Sequence, residues 1–358
     1  MRARRRTLAT TCCCLGFALS ACSVGPGGST GPTGALRTTT SLSTTTVPPT
    51  TTTTTTTVPP TTTTTAPPHL APPAPLAALV TPAPAGDGAW APAGRSVAGV
   101  PAVYETQLVP PGGTQEAGIA WMDTRLLAGQ LYSGSKSPGG GPYQFTAPIA
   151  PAQATTVVAA FNGGFLMKDA GGGYYTEGKT VVPLVDGAAS LVIDADGSVT
   201  VGAWGSDLTM TPSVVAVRQN LVPLVEGGQA TAPATSPDWQ AWGNTCGAAS
   251  CSPTVPGIEY QWRSGVGVTS TGALLYAAGP ALSPAQLASL LVAAGAVRAM
   301  ELDINPNWPA FVTYDPPAGT PASPADGASL HPASVQGPAT FFNPAWARDF
   351  VTMSARLP

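Results

Sequence analysis

Beyond about residue 100, apolar residues occur in short runs separated by Gly, Pro, Ser and Asp, the pattern of many short strands. Val103-Tyr104-Glu105-Thr106-Gln107-Leu108 and Ala117 to Asp123 read as early strands. Thr155 to Phe161 is β-branched and uncharged, a buried strand that runs into the tight turn Asn162-Gly163-Gly164-Phe165. Ser190 to Ile193 and Ser198 to Val201 flank Asp194-Ala195-Asp196-Gly197, a hairpin signal. The same Asp-x-Asp-Gly could begin a calcium loop, but the remaining ligand positions are missing. Val214 to Val217 forms another strand. Gly265 to Thr269 and Ala273 to Ala278 pair across Ser270-Thr271-Gly272.

One helix is well signalled. Ser283 is placed as N-cap, Pro284 as the first helical residue, Leu287, Leu290, Leu291 and Ala294 share a face, and Gly295 ends it. The run Val297 to Ile304 follows as a buried strand, which completes a strand–helix–strand unit with function expected at its carboxyl end. Pro316 to Pro338 reads as loop; Thr340 to Asn343 and Phe350 to Met353 read as returning edge strands. The fold class implied is α+β: a single mixed-sheet domain with flanking helices, over residues 76–358.

The first 75 residues have a different character. Arg2, Arg4, Arg5 and Arg6 precede a short apolar run, Leu15-Gly16-Phe17-Ala18-Leu19, which is a signal peptide over residues 1–22 and too short for a permanent span. Leu19-Ser20-Ala21-Cys22 is similar to the lipobox of bacterial lipoproteins, with Cys22 as the lipidated residue; an ordinary cleaved signal is the alternative. Arg5-Arg6 gives a weak twin-arginine cue. Residues 23–75 carry threonine runs such as Thr50 to Thr57 and repeated Pro-Pro pairs. Such a segment has little to bury, so it is expected to be a disordered, extended stalk suited to O-glycosylation. Export to the outer face of the cytoplasmic membrane, with the membrane as a partner through a lipid anchor, is the expectation; secretion is its variant. The Ala, Pro, Gly and Arg usage fits a high-GC, Gram-positive source.

Composition then narrows the chemistry. A net charge of -3 gives no electrostatic footprint for nucleic acid, so none is expected as a partner. Of the six cysteines, four fall in the signal, and Cys246 and Cys251 remain in a Gly/Ser-rich loop. In an exported chain they read as one local disulfide, with a metal site as the alternative short of further ligands. Only 9% of residues are charged, yet Glu301 and Asp303 stand two apart in an apolar strand. By strand alternation they would share one face, roughly 6–7 Å apart. Buried carboxylates are costly unless paired or used, which makes this stretch the first candidate site.

Three motifs resemble the phosphodiester glycosidase family. Ala159-Ala160-Phe161-Asn162-Gly163-Gly164-Phe165 resembles its Asn-Gly-Gly-Phe signature. Arg263-Ser264-Gly265-Val266-Gly267 resembles a strand start of the family, and Leu282 to Asp303 resembles its helix and Leu-Asp segment. They come in the family's order across residues 157–303. Where the family continues Leu-Asp-Gly-Gly-Gly-Ser, this chain has Leu302-Asp303-Ile304-Asn305-Pro306-Asn307-Trp308. Members include an enzyme that uncovers mannose-6-phosphate tags and many exopolysaccharide-associated bacterial proteins.

The resemblance implies a hydrolase that splits the bond between an anomeric carbon and a phosphate, with a carbohydrate or glycosyl-phosphate substrate. Phosphate needs cations or amide donors, and the oxocarbenium-like transition state needs a carboxylate. Asp303 and Glu301 are the catalytic candidates. Arg263 and Arg218 are candidates for the phosphate, Asn162, Gly163, Gly164 and Asn305 for hydrogen bonding, and Trp308 for stacking on a sugar. Each has a structural alternative: a salt bridge between Arg263 and a carboxylate, a turn cap at Asn162, a backbone contact at Glu301, a core position for Trp308. A divalent cation on Glu301, Asp303 and Asn305 is another use of the same oxygens. A glycan-binding or envelope-organising surface protein is the functional alternative.

Overall fold

The computed structural model describes residues 68–236, 242–243 and 261–356. The signal segment with Cys22, the stalk up to residue 67 and the Cys246–Cys251 pair lie outside the described residues. Packing begins before Leu76: Leu70 is buried, and its amide donates to Oδ2 of Asp123 at 2.7 Å.

Three sheets carry the described fold. The largest has the order β1 (Ala91–Ala93), β2 (Val103–Leu108), β3 (Ala117–Met122), β14 (Leu274–Leu282), β13 (Gln261–Thr269), β15 (Ala296–Ile304), β11 (Val225–Glu226), β12 (Gln229–Ala230). A second sheet orders β7 (Lys179–Val182), β6 (Tyr174–Thr176), β10 (Val214–Gln219), β8 (Ala189–Asp194) and β9 (Val199–Ala203). The third orders β17 (Gly327–Ser329), β16 (Phe311–Tyr314), β5 (Val157–Asn162), β18 (Phe350–Ala355) and β4 (Leu127–Tyr132). The ladders between these strands are antiparallel.

The helix content is small. Among the described residues α1 (Pro151–Ala154) and α2 (Ala232–Thr235) are single turns, and only α3 (Pro284–Ala293) is longer. The α+β expectation therefore shifts strongly toward β, with one substantial flanking helix. α3 begins as its sequence requires. Ser283 Oγ accepts from the Gln286 amide at 3.2 Å, while Gln286 Oε1 accepts from the Ser283 amide at 3.0 Å, a closed capping box. Gly295, at φ +96°, ends it.

The strand–helix–strand unit is present in an altered form. β14 and β15 run the same way, but β13 lies between them and pairs antiparallel with both. The site at the end of β15 thus belongs to an antiparallel sheet rather than to a parallel α/β switch point.

One face of the large sheet, with Val266, Val268, Tyr276, Met300 and Leu302, packs against residues of the other two sheets such as Phe161, Leu191, Val201 and Met353. Its opposite face, with Ile119, Leu275 and Ala299, packs on Leu287, Leu290 and Leu291 of α3. Each of those leucines is fully buried and contributes roughly 1.5–3 kcal/mol. β15 is therefore covered on both sides, which is why its sequence is a continuous apolar run.

The tail departs from expectation at two points. Thr340–Phe342 is a 3-10 turn rather than a strand. β18 is not an edge: it is hydrogen-bonded to β5 on one side and β4 on the other. Its apolar run Phe350 to Met353 is buried for that reason.

Candidate active site

β15 is irregular where its carboxylates stand. Gly265 faces Glu301 and Arg263 faces Ile304, so two steps along β13 match three along β15. The extra residue is a β-bulge, which re-aims the side chains that follow it. Glu301 and Asp303 consequently do not form one carboxylate pair; each has its own guanidinium. Glu301 Oε1 lies 2.5 Å from Nη1 of Arg263, both residues fully buried. Asp303 Oδ2 lies 3.0 Å from Nε of Arg348.

The turn after β5 fixes Asp303 from below. The Asp303 amide donates to Gly163 O at 3.0 Å, Ser264 Oγ donates to Asp303 O at 2.7 Å, and Oδ1 accepts from the Ile304 amide at 3.0 Å. Asn162 is wholly buried and fully engaged. Its Oδ1 accepts from Tyr276 Oη at 2.7 Å and the Ala310 amide at 2.9 Å. Its Nδ2 donates to Gly163 O at 2.8 Å and Ser264 Oγ at 3.0 Å. Asn162 thus ties β5 to the large sheet and has no group left for a sugar.

Gly163 and Gly164 are needed for protein contacts. A Cβ on Gly163 would stand 2.0 Å from Oδ2 of Asp349, and one on Gly164 would stand 2.7 Å from Oδ1 of Asn220 and 2.9 Å from Cζ of Arg218. Asp349 is the partner of Arg218: Nε donates to Oδ2 at 2.7 Å and Nη2 to Oδ1 at 3.3 Å. Arg218 also donates to the carbonyls of Phe165 and Gln219. Ser137 Oγ completes the shell at 3.3 Å from Asp349 Oδ1.

Arg263 is likewise consumed inside the protein. Besides Glu301, it donates to Leu282 O at 2.9 Å and Trp242 O at 2.8 Å. Arg263 and Arg218, the two arginines expected to meet phosphate, are both buried and bonded to carboxylates and backbone carbonyls. Glu301 is fully buried, its Oε1 paired with Arg263 and its Oε2 without a hydrogen-bond partner.

Arg348 differs. It is 8% exposed, its Cζ sits 4.3 Å from the centre of the Trp308 ring, and Trp308 in turn meets Trp346 edge-on at 5.8 Å. Its Nε is at ion-pair distance from Asp303 without hydrogen-bond alignment, and its Nη1 has no hydrogen-bond partner. The Asp303 Oδ2 that faces it has no aligned donor either. A cation and a carboxylate, each with spare bonding capacity, stand together at the strand end.

Burial dominates the titration of both β15 carboxylates. Desolvation pushes Glu301 up to about 7 against the pull of Arg263. Desolvation also pushes Asp303 up to about 7, against Arg348 and the Ile304 amide, with Asp349 adding to the rise.

Asn305 and Trp308 complete the loop. Asn305 holds φ +64°, its Oδ1 accepts from the Asn307 amide at 2.9 Å, and its own amide donates to Trp262 O at 2.8 Å. Asparagine is the residue after glycine that best tolerates this conformation, so it makes the turn with its side chain committed. Trp308 is half-buried, and Arg348 covers one of its faces. A cation shared by Glu301, Asp303 and Asn305 would enter beside positive charge already at both carboxylates, Arg263 at Glu301 and Arg348 at Asp303. Among the described residues no cluster of three or more His, Cys, Asp or Glu is arranged to hold a metal.

Sequence reasoning missed Arg348 and Asp349. The available signal was an Arg-Asp pair immediately ahead of the apolar run Phe350 to Met353, in a chain only 9% charged.

Residues 155–303 match the family model described as phosphodiester glycosidase. The search of curated proteins finds no match. Among solved structures, similarity extends to the catalytic domain of zebrafish N-acetylglucosamine-1-phosphodiester α-N-acetylglucosaminidase, auto-inhibited by its pro-peptide. The identity is 15%, the coverage 75% of this chain and 88% of that one, and the TM-score 0.42. A hypothetical protein from Synechocystis matches at 12% identity over 74% of this chain and 64% of its own, with a TM-score of 0.37. A putative exported protein from Burkholderia pseudomallei matches at 11% identity over 66% and 73%, with a TM-score of 0.28.

Proposed function

With residues 155–303 matching the phosphodiester glycosidase family, we propose that this protein hydrolyses glycosyl-phosphate linkages, with Asp303 and Arg348 as its reacting pair. The observation that carries the reading is Arg348 itself: a nearly buried guanidinium with a free donor, stacked on Trp308 and 3.0 Å from Asp303. A phosphodiester presents planar, anionic oxygen pairs that a guanidinium fork matches. Stacking on the indole holds that fork in place.

The chemistry follows from these roles. Water attacks the anomeric carbon as the bond from that carbon to the phosphate oxygen breaks, and the phosphate monoester leaves with the bonding electron pair. Phosphate is a good leaving group, so acid assistance is dispensable. Asp303 takes the proton from water, and Arg348 stabilises charge that grows on the departing oxygen. A base titrating near 7 is suited to accept a proton at neutral pH.

The finer setting belongs to the same proposal. The protein is exported and lipidated at Cys22, and the threonine/proline segment holds the hydrolase away from the membrane, where it acts on envelope or extracellular polysaccharide. The experiment is to incubate a panel of sugar-1-phosphodiesters with the full chain and with Asp303→Ala. Release of reducing sugar and phosphomonoester by the native protein, lost in the variant, is expected. Retained glycan binding with no turnover across the panel would replace the hydrolase with a binding protein. Cys22→Ala should move the protein from the membrane to the soluble fraction.

A further inference from the structure

We propose that the groove between β4 and the second sheet is a carbohydrate-binding site for a neutral stretch of glycan. It encloses about 790 Å3, inside the range of roughly 300–1,000 Å3 typical of small-molecule clefts. Asp303, Arg348 and Asp349 are not among its lining residues.

The walls have the chemistry of sugar recognition. Phe145 and Tyr175 are half-buried aromatics that line the groove, and Val215 beside them is 37% exposed. Aromatic faces pack on the C–H faces of pyranose rings, while carboxylates and carboxamides bond the hydroxyls. Gln130, Gln144 and Asp194 supply those groups. The side chain of Gln144 is exposed and makes no hydrogen bond among the described residues.

The aromatic wall is built in advance. Glu177, in the left-handed region at φ +50°, accepts from the amides of Gln144 at 3.0 Å and Phe145 at 2.9 Å. Tyr132 packs edge-on against the Phe145 ring at 5.6 Å. A non-glycine residue held in that conformation is costly, and such strain persists where surrounding structure over-determines it. Its consequence here is a fixed loop, which lowers the ordering cost of binding. The floor is tied in the same way: the Gly129 amide donates to Gly197 O at 2.8 Å, joining β4 to the β8–β9 turn.

Charge selects the ligand class. Glu177, Asp194 and Asp196 line the groove, no lysine or arginine is among its described lining residues, and Arg356 outside it donates to the Asp196 carbonyl. Asp196 is held below the usual carboxylate range by the Ser198 amide and hydroxyl, so it stays anionic. A groove of that sign repels phosphorylated or acidic sugars and admits neutral ones. β6 separates the two sites: Tyr174 turns inward, its hydroxyl 3.2 Å from Ser133 Oγ and within the field of Asp349, while Tyr175 lines the groove. That the groove would steady a polymer whose phosphodiester is cut elsewhere rests on the hydrolase reading; binding itself does not.

The test titrates the full chain with maltotetraose, mannotetraose, galactotetraose and arabinotetraose by calorimetry, alongside Tyr175→Ala and Gln144→Ala. Binding of at least one by the native protein is expected, weakened roughly tenfold or more in both variants, with turnover of a small sugar-1-phosphodiester unchanged. Gln144 is a surface residue, so its variant remains informative if Tyr175→Ala fails to fold. No binding of any of the four, equal affinity in the variants, or preference for a synthetic peptide of residues 45–62 would each overturn the proposal. Binding without turnover removes the hydrolase reading alone; turnover without binding removes the groove alone.

Discussion

Arg348 and Asp303 face each other at 3.0 Å without completing a hydrogen bond, and the guanidinium rests on Trp308 instead. A salt bridge meant only for stability would close its hydrogen bonds, as Arg218 does with Asp349. The open geometry leaves a donor for an incoming anion. Arg348→Met should therefore lower kcat/KM for a sugar-1-phosphodiester by about 10²–10³-fold, the usual cost of losing one transition-state donor. Arg348→Lys should restore only a fraction, because an ammonium neither forks nor stacks as guanidinium does. Steady-state kinetics on both variants reads this directly.

The pH profile follows from the same pair. Asp303 must be ionised to take a proton from water, and burial pushes it up to about 7. Activity should fall as pH drops through about 7. Arg348 lowers that value, so its removal must raise it. The acid limb of kcat/KM in Arg348→Gln should move to higher pH than in the native protein. An unmoved limb would separate Asp303 from the titrating step.

Much of the scaffold around this pair was legible from local pattern, and the pair itself was not. The β13–β14 hairpin, the capped helix and the buried run Val297 to Ile304 each follow from turn residues and periodicity within a few positions. Insertion of β13 between β14 and β15 is a long-range pairing that no local period encodes, and it turns an apparent α/β unit antiparallel. The bulge at Glu301 to Ile304 broke the alternation that predicted a shared carboxylate face. Arg348, just ahead of β18, meets Asp303 across a long sequence separation, and β18 itself is central in its sheet whereas its sequence alone fits an edge. Arg263 and Arg218 are of a residue type suited to phosphate, and in the fold they pair with Glu301 and Asp349, partners that no local pattern in the sequence names.

Gly163 tests the turn. A methyl there would meet Asp349 Oδ2 at 2.0 Å and Asp349 O at 2.8 Å, so the Arg218–Asp349 pair must shift. Gly163→Ala should cost about 1–3 kcal/mol or more by denaturant unfolding and abolish turnover. Gly337, with nothing within 4 Å of an added Cβ, is the control: Gly337→Ala should stay within about 0.5 kcal/mol.

Glu301 tests the structural pair. Arginine cannot shed its proton, so removing Glu301 leaves a buried, uncompensated cation. Glu301→Leu should cost about 3–5 kcal/mol, and Glu301→Gln less, because the amide oxygen can still accept from Arg263. Chemical denaturation of both gives the order. Equal costs would mean that loss of the carboxylate charge sets the penalty and the accepting oxygen adds nothing.

His331 gives the fold an acid sensitivity of its own. Nδ1 accepts from the Ala333 amide at 3.1 Å, which requires it unprotonated, and Nε2 then donates to Glu116 O at 3.1 Å. Trp262 packs edge-on against the ring at 5.1 Å. Burial lowers the pKa of His331 from 6.5, opposed by the Glu116 carbonyl and carboxylate. Above about 6.5 the ring is neutral in both folded and unfolded chains and contributes no pH dependence. Below it the unfolded chain takes up a proton that the folded one resists, so stability is lost as pH falls from about 6.5 toward the folded value. Glu105, Glu301 and Asp303 act in the opposite sense, because their folded values are raised to about 7 and they bind protons more readily when folded. The readout is therefore a difference: between pH 7 and 5, the unfolding midpoint of His331→Asn should decline less, or rise more, than that of the native protein. Parallel curves for the two proteins would show that His331 takes up its proton equally in the folded and unfolded chains.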